Sequence, residues 1–331
     1  MDTLYIENAA KKYALTATIE SRIAPQKTVF IDDYEEHFSK KKPYLNKLFE
    51  RNIFIALKKN NFIHEAINRQ SVNPTEPHYD FTTAYNCSYG CEYCYLQSYF
   101  NSPDLVFFVN HDDILNAMRE KLVAQGKKRV WFHSGELSDA LALSHLTGAL
   151  PLYWDFFRFN PTAFLELRTK SINVSVLRTL PPLPNVVVSY SLSPHEQARK
   201  LDHGAPTVLQ RLTAMEQLKQ RGFRLGAHFD ALMQHDRLGE RVEHLVKIIA
   251  QRIGFDAFEF FSVGTLELDA PLYSEAKQNY PNSLMWQSGL DENAATKIAY
   301  AAVVRERIHS EIQQILKKHG CPEEKIFFCK E

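Results

Sequence analysis

The stretch "NCSYGCEYCYLQ" (86–97) carries three of the five cysteines in the pattern C-x3-C-x2-C, with Tyr93 just before the last one. Two kinds of site compete for such a pattern. A structural zinc site has four protein ligands and needs a distant His or Cys to close it. Three thiolates alone hold three irons of a [4Fe–4S] cluster and leave the fourth iron open to a small molecule. No cysteine pair follows downstream, which favours the cluster over zinc or simple buried thiols.

Composition sets broad limits. Lys and Arg together number 39, as do Asp and Glu, so there is no overall basic field, and nucleic acid would have to meet a local patch. The N-terminus resembles neither a signal nor a transit peptide, and no run reaches the roughly 18 apolar residues of a membrane span. We therefore expect a cytoplasmic protein without membrane contact, and an odd, clustered set of cysteines that is not a disulfide framework.

Hydrophobic patterning predicts two domains. Residues 1–75 are typical of a small N-terminal α/β domain, closed by a polar linker at 68–78. Residues 76–331 alternate strands with helices, the order of parallel sheets with crossover helices. Six predicted strands give a partial (β/α)6 barrel of the TIM type: 78–85, 129–133, 163–170, 185–192, 224–232 and 257–266. The cysteine loop follows the first of them, on the face where such barrels place their active sites.

The end of the chain departs from the alternation. Residues 267–292 are rich in turn formers and are expected to form an insertion or hairpin. A last long helix is predicted over 293–318, followed by the short strand "KIFFC". Tyr280, Met285 and Trp286 either pack against the barrel or form a wedge that fills the gap left by an extruded base. The basic runs 39–47, 57–61 and 126–129 are either solvated faces or phosphate contacts.

The cysteine pattern resembles that of the radical S-adenosylmethionine (SAM) enzymes, and the chain is similar to the spore photoproduct lyase family within them. The motifs that carry the likeness are "CEYCYLQ" (91–97), "SD" (138–139), "LRTKS" (167–171), "YSLS" (190–193), "HGAPTVLQRLTAM" (203–215), "LGAHFDALMQHD" (225–236) and "FFCKE". The resemblance covers most of the chain, and it implies a radical SAM partial barrel carrying a [4Fe–4S] cluster and SAM.

The resemblance also assigns residues. Cys87, Cys91 and Cys94 would ligate the cluster. The turn Ser134, Gly135, Glu136 resembles the one that cradles the SAM amino group, and the Glu136 carboxylate suits an ammonium. Lys170 matches the lysine that meets the SAM carboxylate, and Ser191 the serine near its ribose. The alternatives are a surface lysine and a strand-end serine.

One position departs from the family. Spore photoproduct lyase has a cysteine just before the "SD" pair that gives a hydrogen atom to the product radical, and Glu136 stands at that place in "SGELSD". A carboxylic O–H bond is too strong for this role. The donor is then expected among Tyr93, Tyr95 and Cys329, or the hydrogen returns from 5′-deoxyadenosine. Cys329 has the alternative reading of an inert buried thiol.

The resemblance implies a DNA-repair lyase that acts on a thymine-derived lesion through a 5′-deoxyadenosyl radical and breaks a carbon–carbon bond. A flavodoxin or ferredoxin would supply electrons. One rival is a radical SAM enzyme on another substrate, such as a bulkier DNA adduct, a modified RNA base or a peptide. The other is a non-catalytic metal-bearing nucleic-acid-binding protein. The sequence does not determine the lesion or the oligomeric state.

Overall fold

The computed structural model describes residues 3–48, 50–66, 75–291 and 297–329. The strands are β1 Thr3–Glu7, β2 Lys27–Ile31, β3 Ile53–Ala56, β4 Ile63–Glu65, β5 His78–Phe81, β6 Ala84–Tyr85, β7 Leu105–Phe108, β8 Val130–Ser134, β9 Ala163–Thr169, β10 Val186–Leu192, β11 Arg224–Leu232, β12 Phe258–Thr265, β13 Glu267–Asp269, β14 Lys297–Ala299 and β15 Ile326–Phe328. The α-helices are α1 Ala14–Ile23, α2 Glu35–Phe38, α3 Leu96–Tyr99, α4 His111–Gln125, α5 Ser144–Thr147, α6 Leu150–Phe159, α7 His195–Leu201, α8 Val208–Gln220, α9 Leu238–Arg252, α10 Ala270–Asn279 and α11 Ala302–Lys318.

The chain divides into two compact units. The first comprises Met1–Ile67, Glu76–Ser88 and Tyr99–Val186, and the second Asn68–Thr75, Tyr89–Ser98 and Val187–Glu331. The cysteine loop passes from the first unit to the second between Ser88 and Tyr89. No helix among the described residues is long and apolar enough to cross a membrane.

The first unit contains a five-stranded sheet in the order β2-β1-β3-β7-β6. Its strands are parallel except β6. Apolar residues fill both faces because alternate side chains of β3 point to opposite sides: Ile53 and Ile55 pack in one core cluster, and Phe54 and Ala56 in the other. Strand β7 lies beyond residue 75, so this sheet takes strands from both sides of the predicted boundary. The predicted linker at 68–78 lies largely outside the described residues.

The first unit also contains four further strands, adjacent in the order β9-β8-β5-β4. Strand β4 is antiparallel to β5, and the other pairs are parallel. Paired residues on adjacent strands share a face. His64 pairs with Asp80, Asp80 with His133, and His133 with Glu166. We call these four residues, with Arg168 two places beyond Glu166, the charged face.

The second unit holds β10, β11, β12 and β15, all parallel and in that order. Helix α8 begins with a capping box, in which the Thr207 and Gln210 side chains satisfy each other's backbone groups. A run of small and polar residues shares one face of these strands. We call it the serine face: Ser189, Ser191, Gly226, His228, Ser262 and Gly264.

The chain after β12 differs from the prediction. The segment after β12 forms α10, and the last helix begins at Ala302 because Lys297–Ala299 form β14, which pairs antiparallel with β13. Residues 293–296, the start of the predicted helix, lie outside the described residues. Met285 is fully buried and the Trp286 indole donates to the Tyr280 carbonyl, so these residues pack within the second unit and are not a free wedge.

Candidate active site

Cys87 lies at the end of a tight turn in the first unit. Asn86 has φ +64°, a left-handed conformation that Asn tolerates, and its amide donates to the carbonyls of Ser102 and Asp104 at 2.8 and 2.7 Å. The Arg51 guanidinium donates to the Cys87 carbonyl at 3.3 Å, and burial lowers the pKa of Arg51. Cys87 therefore starts the cysteine loop from a fixed position, where it is half-buried and forms no disulfide.

The rest of the loop is held by backbone contacts within the second unit. Gly90 N–H donates to the His203 carbonyl at 2.8 Å, and Glu92 N–H to that of Leu201 at 2.9 Å. His203 in turn lies 2.7 Å from the Glu92 carboxylate and stacks on the Tyr280 ring. The segment that carries Cys91 and Cys94 is thus paired like a short strand, although its residues form none.

Asp202 joins this loop to the serine face. It accepts hydrogen bonds from the Tyr93 hydroxyl and, at 2.6 Å, from the Arg211 guanidinium, which also donates to the Ser191 carbonyl at 3.0 Å. Asp202 and Arg211 are each only 1% exposed in their side chains. Burial, then the Asp202 charge, raises the pKa of Tyr93. The segment 203–215 carries part of the family resemblance, but the ion pair between Asp202 and Arg211 was not predicted from the sequence.

The turn after β8 is tightly packed against β9. Gly135 has φ +102°, and a Cβ there would lie 2.7 Å from the Arg168 carbonyl, so both backbone conformation and space require glycine. Ser134 is buried. The Glu136 carboxylate lies 2.7 Å from His64 Nε2, and this contact, chiefly, raises the pKa of His64. The predicted contact of Glu136 with a SAM ammonium stays a prediction.

Asp139, of the "SD" pair, fixes the backbone that carries Lys170. Its carboxylate accepts from Leu141 N and Ala142 N, from the Thr169 hydroxyl at 2.6 Å and from Lys170 N at 2.8 Å. Asp139 and Ser138 also line a surface depression of the first unit together with Cys87. The pair therefore positions the end of β9, a role that follows from the contacts and not from the motif alone.

Three predicted hydrogen-donor candidates lie in the second unit. The Tyr93 hydroxyl is committed to Asp202, and Tyr95 is exposed. Cys329 Sγ lies 3.3 Å from the Ser262 hydroxyl. A Cβ on Gly264 would lie 3.0 Å from both Cys329 Sγ and Asp230 Oδ1, so the glycine leaves room for these two side chains over the serine face.

The charged face is a continuous polar network. His133 lies 2.9 Å from His78 and contacts Glu166, which lies 3.6 Å from the Arg168 guanidinium. Lys58 is 95% buried, and burial lowers its pKa to about 8 while the Glu136 charge acts in the opposite direction. His133, and His228 in the second unit, are both buried strand residues, 3% and 2% exposed.

Parallel strands joined by helices, with a three-cysteine loop after β5 and β6, define an α/β protein of the radical SAM fold, and solved structures confirm this fold class. A mutant spore photoproduct lyase with bound AdoMet and dinucleoside spore photoproduct gives a TM-score of 0.84 at 16% identity, covering 99% of this chain and 97% of that one. Spore photoproduct lyase complexed with dinucleoside spore photoproduct gives 0.83 at 17%, with the same coverage.

The chain belongs to the spore photoproduct lyase family, whose model matches residues 1–283. It is 21% identical over 199 residues to the spore photoproduct lyase of Clostridium acetobutylicum, covering 60% of this chain. It is 23% identical over 218 residues to that of Geobacillus sp., covering 65% of this chain. These alignments span 59% and 63% of the relatives' own lengths. The predicted family resemblance is confirmed.

Proposed function

We propose that this protein is a radical SAM lyase that repairs a thymine-derived DNA lesion, with spore photoproduct as the first substrate to test. The observation that carries the proposal is the cysteine loop: three cysteines outside any disulfide at the C-x3-C-x2-C spacing, held by backbone and ion-pair contacts, in a chain of the spore photoproduct lyase family. Related structures hold AdoMet and dinucleoside spore photoproduct, which supports both the cofactor and the substrate class.

The donor set fits a [4Fe–4S] cluster. Cys87, Cys91 and Cys94 are free of disulfides, and three thiolates leave one iron for an exogenous ligand. When bound, the cluster and SAM supply the electron and the hydrogen-abstracting radical. This chain's residues hold the loop in place. The Tyr93–Asp202–Arg211 contacts do so at a buried position where an unpaired charge would be costly.

The SAM-binding roles divide between the two faces. Lys170, positioned through Asp139, would meet the SAM carboxylate by a charge-assisted hydrogen bond. The Ser134–Gly135 turn would offer carbonyls to the ammonium, since Glu136 is engaged by His64. Ser191, 9% exposed at the end of β10, would meet the ribose. Each role is testable by substitution without touching a cysteine.

The product radical needs a hydrogen donor other than residue 136. S–H and phenolic O–H bonds are of similar strength, and both are weaker than a carboxylic O–H bond. Cys329 is the first protein candidate, followed by Tyr95, because the Tyr93 hydroxyl already donates to Asp202. Return of hydrogen from 5′-deoxyadenosine is the alternative route. A Cys329→Ala protein that repairs with unchanged solvent-deuterium incorporation would point to that return or to a tyrosine.

The deciding experiment uses anaerobically reconstituted, dithionite-reduced protein with SAM and an oligonucleotide carrying spore photoproduct. Mass spectrometry follows restored thymines and 5′-deoxyadenosine, with Cys91→Ala as the control that should lose both products and the iron–sulfur absorbance. Repair supports the proposal. Absence of both products in a protein with an intact cluster contradicts it.

A second candidate is radical SAM chemistry on another substrate, and the observation that favours it is Glu136 in place of the family's donor cysteine. A carboxylate paired with His64 gives this position a charge that a thiol lacks. Formation of 5′-deoxyadenosine without thymine repair would support this candidate, and bulkier DNA adducts, modified RNA bases and peptides would be tested in that order.

A further inference from the structure

Three side chains of the first unit converge at one edge of the charged face. His64 on β4, Asp80 on β5 and Glu136 after β8 each direct one nitrogen or oxygen atom to a common point, and these three atoms all lie within 4.8 Å of one another. His64 and Asp80 are directly paired across the two strands. No other group of three His, Cys, Asp or Glu side chains among the described residues meets this condition.

The donor types and their burial suit a cation. One imidazole and two carboxylates are ligands that divalent first-row transition metals accept, with metal–ligand distances of about 2.0–2.2 Å for zinc. Asp80 is 3% exposed, whereas the side chains of His64 and Glu136 are 40% and 29% exposed. The buried carboxylate forms the floor of the group, and the two outer ligands leave a route for an ion to enter.

His64 Nε2 lies 2.7 Å from the Glu136 carboxylate. Two ligands on one tetrahedral or octahedral metal stand about 3 Å or more apart, so metal binding needs these atoms to separate by only a few tenths of an ångström. His319 and Glu243 form a similar pair at 3.0 Å in the second unit, but no third His, Cys, Asp or Glu of the described part of the chain joins them at that spacing. Asp80 is what distinguishes the first pair.

We propose that His64, Asp80 and Glu136 bind a divalent transition-metal cation through one nitrogen and two oxygens, with water in the remaining positions. The site uses no cysteine, so it is a second metal site beside the proposed cluster. Three protein ligands leave coordination positions open, as in metal sites that bind a further molecule. Lys58, which interacts electrostatically with Glu136, opposes a second positive charge and limits the affinity.

Mn²⁺ is the appropriate probe because it prefers carboxylate, imidazole and water ligands to thiolates and is read directly. Cluster-loaded protein without SAM is titrated with Mn²⁺ at pH 8, and free Mn²⁺ is measured from its EPR signal. We expect one equivalent bound by the unaltered protein. His64→Gln and Asp80→Asn should each weaken binding by at least about tenfold, and His319→Gln, the matched control, should bind as the unaltered protein.

Because Asp80 is buried, the thermal unfolding of the Asp80→Asn protein is measured without metal. If that protein is unfolded, His64→Gln alone provides the test, since the His64 side chain is half-exposed. Binding of no Mn²⁺ by the unaltered protein up to millimolar concentration would overturn the proposal, as would equal binding by His64→Gln. Neither readout involves SAM cleavage or repair, so this result and that of the proposed function are independent.

Discussion

The charged face and the serine face are both buried sheet surfaces with polar side chains, yet they satisfy those side chains differently. On the charged face, carboxylates, imidazoles and a guanidinium contact one another, as Glu166 contacts His133 and Arg168. On the serine face, hydroxyls and a thiol make uncharged contacts, as between Ser262 and Cys329.

The difference indicates how costly it is to remove a polar side chain from each face. A buried ionised side chain needs a partner that compensates its charge. Removing that partner therefore lowers the free energy of unfolding strongly. A hydroxyl costs less to bury than a charge. Gly226 and Gly264 let neighbouring side chains pack closely, the Phe260 ring at the first and Asp230 and Cys329 at the second. The first arrangement suits charged groups of a ligand, and the second suits uncharged groups that bear hydroxyls.

The largest expected effect is on stability. Glu166→Gln removes a carboxylate that is 1% exposed and leaves the partners His133 and Arg168 without their counter-charge. We expect the free energy of unfolding to fall by about 4 kcal/mol, measured by urea denaturation. Ser262→Ala, equally buried on the serine face, is the matched control and should cost about 1 kcal/mol. Equal losses in the two proteins would remove the distinction between the faces.

His111, a buried histidine outside both faces, tests whether burying an ionisable side chain makes stability depend on pH. His111 Nδ1 forms a 2.8 Å hydrogen bond with the Tyr153 hydroxyl. Burial lowers the pKa of His111 to about 4. Since the folded state holds the neutral form, its stability contribution is complete above pH 6.5 and is lost as the pH falls from 6.5 toward 4. At about 1.4 kcal/mol per pH unit, the loss is about 3 kcal/mol.

The measurement compares the unaltered protein with His111→Gln in urea at pH 7, 6, 5 and 4. Carboxylates titrate in both proteins, so the difference between their unfolding free energies isolates His111. We expect that difference to shrink toward low pH. Two parallel curves would mean that His111 titrates in the folded state as it does in the unfolded chain.

Much of the fold could be predicted because the strands of the barrel are continuous apolar and β-branched runs, typical of buried parallel strands. Strands β9 to β12 all lie within one residue of their predicted bounds. Strand β4, "IHE", has one apolar residue in three, and β7, "LVFF", follows a short irregular segment, so neither was predicted. The last helix was predicted to begin at residue 293, whereas α11 begins at Ala302.

The site was only partly predictable. The cysteine spacing is local and could be read directly, and Lys170 and Ser191 came from family motifs. The His64–Glu136 pair joins residues 72 positions apart, and Tyr93–Asp202 joins residues 109 apart. Such contacts depend on strand register, which no local pattern encodes. His64 in particular lies on a strand that was not predicted at all.

The proposed SAM contacts extend the contrast to binding. Lys170→Ala removes a charge-assisted hydrogen bond on the side of the charged face, and we expect SAM to bind about 30-fold more weakly, equivalent to about 2 kcal/mol. Anaerobic isothermal titration calorimetry on cluster-loaded protein measures the change. Lys128→Ala, an exposed lysine of the same unit, should bind SAM normally. Unchanged affinity in Lys170→Ala would place the SAM carboxylate elsewhere.

The smallest effect is expected on the serine face. Ser191→Ala removes one neutral hydrogen bond to the ribose, worth about 1 kcal/mol or about fivefold in SAM affinity. Because Arg211 contacts the Ser191 carbonyl and not its hydroxyl, the Asp202–Arg211 contacts remain, and the loss reports the hydroxyl alone. Ser189→Ala, two residues earlier on the same face, is the control. If Ser191→Ala weakens SAM as much as Lys170→Ala does, the two faces contribute alike, and the charge of Lys170 is not what orients the cofactor.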